Sequence, residues 1–227
     1  MPEYILPPDL GDVYDEISKD VVSLHATWNV YRYLYASQES VALLNDLAPF
    51  AGRTIQDALF DAVLLQITRL GDPAESRGGK DQNLTLERLI NNLPTDASSE
   101  LISNLKDTLT QIRDSTNPLR DHRDKRVAHT DLEHAKASWA ELPGLSRKTI
   151  ENALKQIRNF MNTINLNYSN RPTLYENPHV QGGGDAMVRA FKLAARLLDL
   201  QKQARHPDAN PDKILEAVKR SRECLIG

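Results

Sequence analysis

The stretch Asn117–Pro118–Leu119–Arg120–Asp121–His122–Arg123–Asp124–Lys125–Arg126–Val127–Ala128–His129–Thr130–Asp131 is where this chain could do chemistry. Between positions 120 and 129 it gathers four arginine or lysine residues and two histidines, on a chain whose formal net charge is −3. Arginine donates paired hydrogen bonds to an oxyanion, and imidazole exchanges protons near neutral pH. Side chains of these two kinds, brought together, suit an anionic phosphoester.

Spacing alone decides little. Arg123 and His129 stand six positions apart, and composition supplies about one arginine–histidine pair at such a gap by chance. On a straight helix six residues turn through about 240°, which puts the two on different faces. His122, Arg126 and His129 would share a face, and an ordinary solvated stripe paired with Asp121, Asp124 and Glu133 is one reading of them. His122, His129 and His134 with Asp131 or Glu133 are metal-ligand types, but their spacing fits no standard zinc pattern such as HExxH. No metal and no cofactor is expected. Cys224 is the chain's one cysteine and has no histidine close in sequence, so it is not read as a nucleophile.

The elements that must position this stretch read as helices throughout. Apolar residues fall at three- and four-residue steps from about Asp12 to Ala36 (Val13, Ile17, Val21, Leu24, Trp28, Tyr31, Tyr35), and the aromatic part of that stripe is read as core. Ser37 to Ala51 reads as a shorter helix ended by Pro49 and Gly52, and Thr54 to Leu70 as a central one stopped by Gly71–Asp72–Pro73. Residues 74–83 form a polar loop. A short helix from Thr85 is ended by Pro94, and Asp96 or Ser98 caps the next, which Asn117–Pro118 should break. Ser146 caps a long helix through Ile150, Leu154, Ile157, Met161, Ile164 and Leu166. Residues 169–184 hold two prolines and three consecutive glycines, which is linker chemistry. Two more helices follow. No two-residue alternation of any length appears, so the fold class is all-α. The division expected is a helical bundle over 1–170, a linker over 171–184 and a helical extension over 185–227.

Composition narrows the classes. Residues are 40% hydrophobic and 26% charged, an ordinary globular balance. A net charge of −3 argues against a chain that coats nucleic acid through its overall field, so any such contact must be local. A single cysteine fits a reducing compartment, and no apolar run approaches a membrane span. A cytoplasmic protein without a membrane partner is expected.

The run Arg123–Asp124–Lys125–Arg126–Val127–Ala128–His129 resembles the hallmark of the HEPN superfamily of small helical bundles. That hallmark is an arginine, a polar residue (usually asparagine), a few variable residues and a histidine. The surroundings look most like the abortive-infection U-type branch, in which a central helix ends in a run like Leu65–Gln66–Ile67–Thr68–Arg69–Leu70–Gly71–Asp72–Pro73. The resemblance implies an antiparallel bundle and a metal-independent endoribonuclease that works as a homodimer, in phage defence or a toxin–antitoxin setting. RNA would be the substrate, and an antitoxin or defence protein a further partner. His129 would be the general base or acid toward the ribose 2′-OH, and Arg123 would hold the scissile phosphate. Asp124 and Asp131 would support them, while Arg120, His122, Lys125 and Arg126 would meet flanking phosphates. Two departures stand out. Asp124 replaces the usual asparagine, and Thr130–Asp131 lacks the tyrosine that some toxin relatives offer for modification. The alternative is a non-catalytic helical module that binds RNA or protein through a decayed motif.

Overall fold

The computed structural model describes residues 6–124, 146–178, 181–206 and 210–226, so Lys125, Arg126, His129 and Asp131 lie outside the described residues. Within the described residues the architecture is all-α. The helices are α1 (Pro8–Tyr35), α2 (Gln38–Leu47), α3 (Pro49–Leu70), α4 (Leu86–Asn91), α5 (Ser99–His122), α6 (Arg147–Ser169), α7 (Gly184–Ala204) and α8 (Pro211–Ile226). Between α3 and α4 the polar loop folds into a small antiparallel hairpin, β1 (Glu75–Ser76) and β2 (Asp81–Gln82). No described helix is long and apolar enough to cross a membrane.

Two compact units share these elements: Met1–Thr27 with Asp61–Pro178, and Trp28–Phe60 with His179–Gly227. In the first, Leu10, Tyr14, Ile17, Val21 and Leu24 of α1 are buried, one residue per helical turn. Helices α5 and α6 pack along each other through Leu101, Leu105, Leu109 and Ile112 on one and Ile150, Leu154, Ile157, Phe160 and Ile164 on the other. Leu166, expected on that inner face, is instead exposed. The segment 171–178 is fastened rather than loose. Tyr175 is 1% exposed, its hydroxyl lies 3.0 Å from both the Tyr14 and Ser18 hydroxyls, and Asn162 clasps the Thr173 backbone on its N–H and its carbonyl.

The second unit is built on rings. Trp28 (2% exposed) stacks on Tyr31 at 5.0 Å, and Tyr31 meets Tyr35 and Phe60, which bears out the core reading of this stripe. The Tyr35 hydroxyl donates to the Gly52 carbonyl at 2.8 Å. Pro49 does not end a helix here. It opens α3, at the first helical position where its missing N–H has no role to fill. Helix α7 begins at Gly184, and a Cβ there would lie 2.9 Å from both the Val30 Cα and the Tyr33 Cβ. Backbone cannot yield as a side-chain tip does, so Gly184→Ala is expected to cost about 1–3 kcal/mol of stability. A lowered thermal midpoint in that variant is the check.

The largest departure from expectation is Pro118, which lies inside α5 rather than breaking it. Proline removes one backbone hydrogen bond and crowds the preceding turn. Packing beyond it carries the helix on: Leu119 and His122 are buried, continuing the stripe Ile112–Thr116. Arg123 keeps helical dihedrals (φ −53°, ψ −51°) and donates its N–H to the Arg120 and Leu119 carbonyls. The first residue of the motif therefore follows directly on the end of α5 with its backbone still helical.

Candidate functional site

The described part of the site is a meeting of the end of α5 with the turn that ends α3. At Gly71–Asp72–Pro73 the chain stops being helical because the residue before proline is driven from the α region. Asp72 N–H still donates to the Arg69 carbonyl at 3.1 Å, which closes the turn. The Asp72 carboxylate then takes two guanidinium groups. Its Oδ1 accepts from Arg120 Nη1, and its Oδ2 accepts from Arg123 Nη1 at 3.2 Å.

Arg120 is held on a second side, donating from Nη2 to the Thr68 carbonyl at 3.0 Å. That leaves it a brace across the α3 turn, not the free phosphate contact expected from sequence. Two turns earlier on the same side, Arg113 donates from Nε to the Gly71 carbonyl at 2.9 Å and lies 3.3 Å from Glu87. Glu87 in turn accepts the Ala74 N–H at 2.7 Å, while Arg88 donates to the Ala74 carbonyl. The turn is thus pinned from α4 and α5 together.

Arg123 is paired twice, through Nη1 to Asp72 and through Nε to Asp124 at 2.8 Å. Burial alone would lower its pKa. The hydrogen bond that Arg123 donates to Asp124 and the charges of Asp72 and Asp124 outweigh that, so the guanidinium sits above its ordinary value and is always charged. Among the described residues its Nη2 has no partner. His122 is 2% exposed, on the inner stripe of α5, so it cannot meet a flanking phosphate as expected. Of the eight residues singled out from sequence, Arg120 and Arg123 come together on Asp72, Asp124 pairs with Arg123, and His122 turns inward. Lys125, Arg126, His129 and Asp131 lie outside the described residues. Asp72, Arg113 and Gly71 were not anticipated as parts of the site. Among the described residues no group of three or more His, Cys, Asp or Glu side chains is gathered as a metal would require.

Among protein families, the HEPN-class model described as AbiU2 matches residues 7–184. The match takes in α3, its closing turn and α5, and it stops at the first residue of α7. No curated protein and no solved structure matches the chain.

Proposed function

The chain belongs to the AbiU2 HEPN family, and from that premise we propose that it is a metal-independent endoribonuclease that works as a homodimer in phage defence. His129 takes the proton of a ribose 2′-OH, the 2′-oxygen attacks phosphorus, and the bond to the 5′-oxygen breaks as that oxygen receives a proton. The products are a 2′,3′-cyclic phosphate and a 5′-hydroxyl. Arg123 neutralises charge growing on the phosphate. Lys125 and Arg126 hold neighbouring phosphates, and Asp131 orients the imidazole. A second copy brings a second set of these groups to the same cleft. The observation that carries the reading is Arg123, fixed at the end of α5 by two carboxylates, with Nη2 uncommitted among the described residues.

The test is RNA incubated with the purified chain in EDTA. Fragments ending in 2′,3′-cyclic phosphate are expected. Intact RNA across single-stranded and structured substrates would refute the nuclease reading, and a strictly monomeric chain would refute the shared cleft.

One observation favours the alternative, a non-catalytic interaction module. Asp72 and Asp124 already offset the charge of Arg123, which weakens its pull on an incoming anion. Asp124 is the more exposed of the two and stands where the family usually has asparagine. Two charges at 4 Å exchange ~1 kcal/mol even in water, so Asp124→Asn is expected to tighten RNA binding by at least about fivefold. Filter binding or fluorescence anisotropy reads this directly. Unchanged affinity would favour the interaction module.

A further inference from the structure

We propose that Asp72 is a positioning residue of the nuclease site, fixing Arg123 so that Nη2 is the nitrogen presented to the scissile phosphate. This rests on the nuclease reading. Neither Asp72 nor the turn that carries it belongs to the arginine–histidine motif.

The geometry has four parts. First, one carboxylate serves two guanidinium groups, Arg120 on Oδ1 and Arg123 on Oδ2. Two cations three residues apart on a helix repel each other, and an anion between them turns that repulsion into a fixed spacing. Second, Arg120 is held from behind by the Thr68 carbonyl at 3.0 Å, in space that a side chain at position 71 would contest. A Cβ at Gly71 would lie 2.8 Å from Arg120 Nη2. Third, the backbone beneath Asp72 is immobilised by Arg113 on the Gly71 carbonyl and by Glu87 on the Ala74 N–H. Fourth, the donors of Arg123 are divided: Nε goes to Asp124 and Nη1 to Asp72. With two of its three nitrogens tied, the plane of the guanidinium is set, and Nη2 is the corner without a partner among the described residues.

The chemical consequence follows from arginine's length. A free arginine samples many rotamers, and each phosphate it binds must first select one of them. An arginine already held by a carboxylate on a rigid turn meets the phosphate in the orientation it will keep through the transition state. Asp72 itself touches no substrate. Its effect reaches the phosphate only through Arg123, and this sets the form of the test.

The full-length chain is compared with Asp72→Asn, Arg123→Ala and the double variant, with cleavage rates and thermal midpoints measured for all four. Asparagine keeps one acceptor and the side chain's size, so the fold should survive. Asp72→Asn is expected to lower kcat about 10–30-fold while KM moves less than about threefold, because the lost orientation acts in the transition state. In the Arg123→Ala background the same change should add no further loss of rate, since the group it positions is gone. A merely structural Asp72 predicts the opposite, namely the same fractional loss in both backgrounds. Native kcat in Asp72→Asn, or additive losses in the double variant, would overturn this role while leaving the nuclease reading in place. A native chain that leaves RNA intact sinks the reading and this role together.

Discussion

Replacing His129 with alanine is expected to lower RNA cleavage by about 10²–10⁴-fold, the range that a positioned general acid or base contributes. The companion change Arg123→Ala is expected to lower it by about 10²–10³-fold, as for removal of one donor to a developing oxyanion. The two differ in what else they change. An imidazole that moves a proton acts mainly in the transition state, so His129→Ala should bind RNA nearly as the native chain does. Arg123→Ala should lose affinity as well. Because the two groups act as a unit, the double variant should be no slower than the slower single one by more than a few-fold. Initial rates on a labelled RNA in EDTA measure all of this. Native cleavage by His129→Ala would remove that residue from the mechanism.

Lowering pH from 6.5 to 4 is expected to strip on the order of 3 kcal/mol from the stability of the first unit through His25 alone. His25 is 3% exposed, lies against the Tyr175 ring, and has a buried Nε2 with no hydrogen-bond partner among the described residues. Burial first, and then the charge of Arg158, push its pKa down from 6.5 to about 4, with Glu176 opposing. The sign follows from comparing the two states. Below its ordinary pKa the unfolded chain takes up the proton, whereas the folded chain refuses it until about pH 4. Stability is therefore intact above 6.5, declines through the window between the two values and stops declining below 4. Denaturant titrations at several pH values give the slope. His25→Leu keeps an apolar side chain and removes the titration, so its curve should be flatter over that window. Parallel curves for the two proteins would exclude His25 as the source.

Most of the helical layout was legible because burial repeats with the helix. Ile17, Val21, Leu24, Trp28, Tyr31 and Tyr35 were read as one stripe and all are buried, although Leu10 and Tyr14 extend it where Val13 had been expected. The signal failed at prolines. Pro49 and Pro118 each looked like a stop, but a proline's local penalty is small beside the packing of a whole helical face. His122 could have been found by continuing the stripe Ile112–Thr116–Leu119 across that proline, which would have turned it inward. The missing part of the site was of another kind. Gly71–Asp72–Pro73 was read correctly as a helix stop, yet nothing local says that its carboxylate meets Arg120 and Arg123. That contact depends on how α3 and α5 pack, and periodicity carries no such information.

The proline within α5 also bears on the order in which the chain folds. Pro118 offers no N–H to the carbonyl of Asp114, so the turn beyond it cannot propagate from the backbone ladder as an uninterrupted helix would. It is completed by ion pairs to Asp72 that span 48 and 51 residues of sequence. Such closures come late, after shorter-range contacts have drawn the ends together. Arg123 thus acquires its conformation only once α3 has docked, and a chain caught part-way through synthesis or refolding would lack the Arg120–Asp72–Arg123 cluster.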